Sequence, residues 1–290
     1  MRRLLAADRV RFGRRRDLWI LVSLVPVLLL LMFVSEFNGV TTPPKDNFFF
    51  DPPDPVQEAA MHDQMMADWR QQLATELPTF AFPASLLKVA GNVGPVILLA
   101  IYLATALVGG EFEWGTVRTI HLTSSRGRTL AVRIGVVVGL LAVVMAIALI
   151  GATLIPFLLS FEGKPLQEFA APVPDLGSGM VFRLVAVLPF IAIPVLMAVL
   201  ARSISVGFLL VLLVFAADVA ITAAPFWTVS PTPWVPALTV SGSISRLLGG
   251  PDSTLASLAP VAASFGALVA WAVLPVVAAI ARFRRLDLNE

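Results

Sequence analysis

Six long apolar stretches alternate with polar segments along this chain. They lie at residues 18–35, 89–110, 131–159, 180–201, 204–222 and 260–282. A helix needs about 20 mostly apolar residues to cross the hydrocarbon core of a bilayer. Apart from residues at the ends of these stretches, only Arg133, Arg183 and Asp218 carry a clear charge within them. The pattern therefore predicts an all-α membrane protein in which residues 18–282 form a bundle of six transmembrane helices.

Further helices are expected in two of the connecting segments. The largest connection, residues 36–88, contains Asp54-Pro55, which is typical of a helix start because proline is tolerated in the first turn. We expect a helix from there to about residue 77, with an apolar face made by Ala59, Met66, Trp69, Leu73 and Leu77. This helix would cover the bundle or lie on the membrane surface. A second short helix is expected at residues 237–248.

Composition supports a membrane protein and argues against several kinds of site. Of the 290 residues, 58% are apolar and only 14% are charged, whereas soluble domains carry about 25% charged residues. The absence of cysteine excludes disulfides and thiolate metal sites. With only two histidines, His62 and His121, a metal site is not expected. No catalytic residues are predicted either.

The distribution of basic residues predicts the orientation in the membrane. Placing the N-terminus inside puts 15 of the 21 Lys and Arg residues on the cytoplasmic side, as the positive-inside rule requires. Both termini and the connection at residues 111–130 are then cytoplasmic, and residues 36–88 face outward. We expect a multi-pass protein of the plasma membrane.

The cytoplasmic connection at residues 111–130 has the most elaborate chemistry. It combines two acids, several arginines and an amphipathic tryptophan, a mixture suited to docking a cytosolic protein through charge-assisted hydrogen bonds. A plain positive-inside loop with stray acids is the alternative from composition alone. The residues singled out for docking are Glu111, Glu113, Gly115, Thr116, Arg118, Ser125 and Arg126.

These residues follow a pattern that resembles type-2 ATP-binding-cassette (ABC) transporter permeases. In that family an acidic pair precedes Gly-Thr, then Ser-Arg, then a basic residue seven positions later. Arg133 stands where the family usually has Lys, and Thr123 replaces a frequent proline. Residues 1–17 resemble the family's amphipathic elbow helix, and residues 282–287 resemble its basic tail, within a predicted cytoplasmic tail at 283–290.

The resemblance implies a fold, a mechanism and partners. The fold would be the type V exporter fold of the G subfamily, and residues 111–130 would form the coupling loop that docks on the ATPase. The chain has no phosphate-binding loop, so ATP and Mg²⁺ would be bound by separate ABC ATPase subunits. A second permease copy or a homologue and membrane lipid are the other expected partners; nucleic acid is not.

By the same resemblance, the second and fifth helices would line the substrate path. The polar candidates there are Asn92, Tyr102, Thr105, Asp218 and Thr222. An alternative for Asp218 is an ion pair with Arg183, expected at similar depth on the neighbouring fourth helix. Gly135 and Gly139 also form a small-xxx-small step that would let another helix approach closely.

Three other function classes compete with an exporter subunit. A secondary transporter and a non-transporting scaffold or sensor remain alternatives to it. An intramembrane enzyme is disfavoured because the sequence lacks clustered polar catalysts at membrane depth. The transported substrate is left open among drugs, peptides, lipids and polysaccharides.

Overall fold

The computed structural model describes residues 16–44, 55–92, 94–113, 126–173, 175–223, 238–248 and 261–285. Within these ranges the chain is mostly helical, with one two-stranded hairpin of Ser160–Phe161 (β1) and Lys164–Pro165 (β2). Short 3₁₀ turns, Ile155–Phe157 and Leu166–Phe169, flank the hairpin. The α-helices in these ranges are α1 (Arg16–Thr41), α2 (Pro55–Phe80), α3 (Ala84–Gly91), α4 (Gly94–Glu113), α5 (Arg126–Leu154), α6 (Leu176–Val187), α7 (Pro189–Ala201), α8 (Ile204–Ala223), α9 (Val240–Leu248) and α10 (Val261–Arg285).

Within the described ranges, six helical segments are long and apolar enough to cross a membrane, as the sequence predicts. They are Trp19–Thr41, Gly94–Glu113, Gly127–Phe157, Leu176–Ala201, Ile204–Thr222 and Val261–Arg285. The chain is thus consistent with an all-α, multi-pass membrane protein. Several boundaries differ from the prediction: α1 continues to Thr41 rather than ending near residue 35, and α5 begins at Arg126 rather than near 131.

The fourth segment is divided by a proline. Its first helix, α6, ends at Val187, and α7 begins at Pro189. Proline has no N–H to donate, so the helical hydrogen bond at Pro189 is missing, although Leu188 before it keeps helical backbone angles (φ −61°, ψ −41°). The chain adapts at Leu188, whose carbonyl accepts hydrogen bonds from the backbone N–H groups of Ile191 and Ala192, both at 3.0 Å. The spanning stretch predicted at 180–201 is thus found as one membrane-crossing segment, Leu176–Ala201, made of two consecutive helices.

The chain divides into two compact units. The first comprises residues 1–25, 93–145 and 178–290, and α7 is its central helix, in contact with α4, α8 and α10. Two glycines allow close backbone packing here. A Cβ atom at Gly109 would lie 3.0 Å from the backbone nitrogen of Ile204, and one at Gly207 would lie 3.1 Å from the Cα atom of Ala198. Gly135 and Gly139 have no such neighbour within 4 Å, so their predicted close contact is not formed with the part of this chain that the structure describes.

The second unit, residues 26–92 and 146–177, contains most of the predicted outer segment. The predicted helix is confirmed as α2, which runs three residues further than expected. Of its predicted apolar face, Leu77 is buried and Trp69 donates from Nε1 to the carbonyl oxygen of Val40 at 3.0 Å, whereas Ala59 is exposed. The rings of Phe33 and Phe37 each meet the ring of Phe80 edge-on.

A charged network completes the second unit. The Lys88 ammonium lies 3.6 Å from a carboxylate oxygen of Glu36 and 3.8 Å from one of Glu76. The same ammonium sits 3.8 Å from the centre of the Phe80 ring, a cation–π contact. Asn92 donates from Nδ2 to Glu36 at 2.9 Å. These contacts join α2 and α3 to the end of α1.

Candidate functional site

A buried ion pair joins the predicted coupling motif to α5. Glu111 lies in the last turn of α4, and its Oε1 accepts a hydrogen bond from Nη2 of Arg133 at 2.6 Å. Only 7% of Glu111 and 5% of Arg133 is exposed. Removing one partner of a buried ion pair typically costs about 3–5 kcal/mol. The two charges therefore depend on each other.

The second acid of the motif caps a different helix. Glu113 accepts hydrogen bonds at Oε1 from the Ser203 hydroxyl at 2.8 Å and from the Ile204 backbone N–H at 2.7 Å. Ile204 is the first residue of α8, and the first N–H groups of a helix have no partner inside it. A carboxylate there also interacts favourably with the helix dipole. One turn earlier, Gly109 gives α4 the room to approach Ile204.

The C-terminal end of α10 meets the same region. The Phe112 ring contacts the Phe283 ring edge-on, with centroids 5.9 Å apart and planes at 90°. The Arg284 guanidinium lies over Gly127 at the start of α5, 3.0 Å from where a Cβ atom of Gly127 would be. Four helices, α4, α5, α8 and α10, thus meet here. We call this the helix-end cluster; it consists of Glu111, Phe112, Glu113, Gly127, Arg133, Ser203, Ile204, Phe283 and Arg284.

The remaining predicted docking residues cannot be placed in this cluster. Gly115, Thr116, Arg118 and Ser125 lie outside the described residues. Arg126 begins α5, but its side chain is also outside them. The predicted elbow at residues 1–17 and the tail beyond Arg285 fall largely outside as well.

The predicted ion pair between Asp218 and Arg183 is wrong. The Asp218 carboxylate instead caps α9: Oδ1 accepts from the Val240 N–H and Oδ2 from the Ser241 N–H, both at 2.8 Å. The Ser241 hydroxyl donates to Oδ2 as well. Arg183 uses Nη1 to donate to the carbonyl oxygen of Gly179 on its own helix at 3.1 Å. Free N–H groups at a helix start satisfy the acid without a counter-ion.

Hydroxyl groups surround Asp218. The Thr222 hydroxyl lies 2.6 Å from that of Thr239 and 2.9 Å from that of Ser241. We call Asp218, Thr222, Thr239 and Ser241 the hydroxyl cluster. Sequence reasoning missed Thr239 and Ser241, although Thr and Ser at the start of a predicted short helix are typical capping residues.

Of the other three path candidates, two lie in α4 and one lies outside it. Thr105 is fully buried, and its hydroxyl donates to the carbonyl oxygen of Ile101 at 2.8 Å. Tyr102 is half-buried in the same helix. Asn92 follows α3 rather than lying in the second transmembrane helix, where the sequence had placed it, and belongs to the second unit. Within α8 the Thr222 hydroxyl donates to the backbone carbonyl oxygen of Asp218 at 2.8 Å, and within α4 the Thr105 hydroxyl lies 3.1 Å from the backbone carbonyl oxygen of Tyr102.

Comparisons with known proteins found no matching family model, curated protein or solved structure. Within the described ranges there is also no group of three or more His, Cys, Asp or Glu residues that could hold a metal ion.

Proposed function

We propose that this chain is the membrane-embedded permease subunit of an ATP-driven ABC exporter and that it works with separate ATPase subunits. The observation that carries the proposal is the helix-end cluster. Glu111, Glu113 and Arg133 in this cluster come from the motif that resembles ABC permeases. Phe283 and Arg284 come from the C-terminal segment that resembles the basic tail of the same family. These residues are far apart in sequence, so their meeting at one set of helix ends supports a shared role.

The geometry suggests how such a subunit would transmit force. Residues 114–125 connect α4 to α5. At the end of α4, Glu113 binds the start of α8. Glu111, also at the end of α4, binds Arg133 on α5. A partner that displaces this loop would pull on α4, α5 and α8 together, because these contacts link them. In this proposal Glu111 and Glu113 position the loop rather than touch the ATPase themselves.

The rest of the proposal follows the resemblance. Two permeases, identical or paired with a homologue, would adopt the type V exporter fold in the plasma membrane with both termini cytoplasmic. ATP and Mg²⁺ would be bound by the partner ATPase chains. The split of basic residues supports this orientation.

The proposal is tested by isolating the tagged full-length chain from its native membranes in mild detergent. We expect a cassette ATPase in the eluate, together with vanadate-sensitive hydrolysis of Mg-ATP. Glu113→Gln should lower this hydrolysis without lowering the yield of the permease, because it weakens the cap that joins the loop to α8. Glu168→Gln, at an exposed acid of the second unit, is the matched control and should not change it.

An eluate without an ATPase subunit and without ATP hydrolysis would contradict the proposal and favour a secondary transporter or a non-transporting scaffold. Equal hydrolysis by the Glu113→Gln variant and the wild-type complex would contradict the role assigned to the cap.

A further inference from the structure

Arg183 is a charged residue within the fourth membrane-crossing segment, Leu176–Ala201. Its Nη1 donates to the carbonyl oxygen of Gly179 at 3.1 Å. Its Nε is buried and has no hydrogen-bond partner among the described residues. No carboxylate in those ranges pairs with the guanidinium either. The positive charge is therefore left uncompensated by the part of the chain that the structure describes.

Arg183 lies on the side of α6 that faces the protein. Residues three and four positions apart share one face of a helix, and Ala186 and Val187 are buried. Val181 and Leu184, on the other side of the helix, are exposed. Arg183 itself is half-buried. Charged side chains that face inward from a membrane-crossing helix typically bind one another, ions or substrates, so Arg183 is placed to bind a ligand.

The guanidinium lies near one end of its segment. The bond to Gly179 holds it level with a residue about 4.5 Å along the helix axis from Leu176. The segment has 26 residues, so it is about 39 Å long and exceeds the hydrocarbon core, about 30 Å thick, by about 4.5 Å at each end. The guanidinium is thus level with the boundary between hydrocarbon and headgroups. The distribution of basic residues makes this the outer boundary.

We propose that Arg183 binds the phosphate group of a ligand at this boundary. A guanidinium can donate two parallel hydrogen bonds to two oxygens of one phosphate, and the edge formed by Nε and Nη2 is not used by Gly179. Phosphate is favoured over carboxylate because the phosphates of membrane lipids lie in the headgroup region next to this boundary. The phosphate belongs either to a phospholipid headgroup or to a soluble anion, and the binding chemistry is the same for both. The inference goes beyond the proposed exporter function, because the site needs no ATPase.

The test measures the thermal stability of the full-length protein, purified and delipidated in a nonionic detergent. A ligand that binds the folded state raises the Tm as its concentration increases. The probes are phosphatidylglycerol, diacylglycerol with the same chains, glycerol 3-phosphate and inorganic phosphate, all at one ionic strength. We expect phosphatidylglycerol to raise the Tm more than diacylglycerol does. If the two soluble phosphates have no effect, the ligand is a lipid headgroup; if they also raise the Tm, it is a soluble phosphate.

The variants separate Arg183 from other positive charges. Arg183→Gln should weaken the apparent affinity for the effective phosphate probe at least about tenfold, because it removes charge-assisted hydrogen bonds. Arg183→Lys keeps the charge but cannot form the paired bonds, so it should retain only part of the affinity. Arg70→Gln removes an exposed arginine of the second unit and is the matched control, which should bind like the wild type.

Three outcomes would overturn the inference. One is an equal rise in Tm with phosphatidylglycerol and diacylglycerol and none with the soluble phosphates, because the phosphate group would then add nothing. Another is an equal affinity of the wild type and Arg183→Gln, which would show that Arg183 is merely hydrated; if that variant does not fold, an affinity of Arg183→Lys equal to that of the wild type has the same force. The third is a wild-type protein that none of the probes stabilises.

Discussion

Neutralising Glu111 should destabilise the protein strongly, and removing Arg133 as well should restore much of the loss. Glu111→Gln keeps nearly the same side-chain volume but leaves the Arg133 guanidinium charged at a site that is only 5% exposed. The 2.6 Å contact between them is the ion pair that this change breaks. A single broken buried pair costs about 3–5 kcal/mol, whereas replacing both charges by apolar groups of similar size is often close to neutral.

The magnitude is large enough to measure by reversible unfolding. At about 1.4 kcal/mol per factor of ten, a loss of 3–5 kcal/mol changes the unfolding equilibrium by roughly 10²- to 10³·⁵-fold. The assay is unfolding of the purified protein from mild detergent into increasing fractions of SDS, followed by tryptophan fluorescence. The variants are Glu111→Gln, Glu111→Leu, Arg133→Met and the double Glu111→Leu/Arg133→Met, with Glu168→Gln as the exposed control. The interaction energy is taken from Glu111→Leu, Arg133→Met and their double.

The reasoning is refuted if either single variant unfolds within about 0.5 kcal/mol of the wild type, the range of ordinary surface substitutions. It is equally refuted if the double variant loses as much stability as the two single variants added together, because the interaction energy between the two sites would then be absent.

Three further predictions follow from other contacts. Gly109→Ala should cost about 1–3 kcal/mol of stability by overpacking against the Ile204 backbone. Gly139→Ala, with no neighbour within 4 Å, should be neutral or stabilising by up to about 1 kcal/mol. SDS unfolding compares the two variants, and equal effects would contradict the close approach at Gly109. Asp218→Ala should cost about 0.5–2 kcal/mol through loss of the α9 cap. Adding Arg183→Gln should not offset that loss, and rescue would instead indicate the ion pair. A single cysteine at residue 70 should react with an impermeant thiol reagent added to intact cells, and one at residue 120 should not; the reverse would contradict the orientation.

The sequence predicts the helices well because their signals are local. Six apolar stretches of sufficient length, and Asp54-Pro55 before an amphipathic pattern, are enough to find the long helices and α2. Boundaries are less accurate: residues 36–41 are polar enough to suggest a loop, yet they continue α1, where Phe37 packs against Phe80. A helix end depends on such contacts, which the local pattern does not contain.

Partners across the bundle are harder to predict. Opposite charges at similar depth predict an ion pair between Asp218 and Arg183. In the structure the Asp218 carboxylate instead accepts hydrogen bonds from the backbone N–H groups at the start of α9. Backbone donors are present at every helix start and leave no mark in the composition. Similarly, the Gly-xxx-Gly spacing points to Gly135 and Gly139, while helix backbones approach each other closely at Gly109 and Gly207, which lack that signature.

The helix-end cluster is partly predictable from the sequence. The motif identified Glu111, Glu113 and Arg133 as related residues, but only the structure shows which charge meets which. The hydrogen bond from the Ser203 hydroxyl to Glu113 has no sequence signal of its own.

The central claim is that residues 114–125 dock on a separate ATPase, and one cross-linking measurement tests it most directly. A single cysteine replacing Ile120 in the otherwise cysteine-free chain carries a photoactivatable cross-linker, which is irradiated in native membranes supplied with Mg-ATP. The account predicts that the main protein adduct is a cassette ATPase and that the Glu113→Gln background reduces its yield. Absence of any ATPase adduct, with the cross-linker at position 120 fully incorporated, would contradict it.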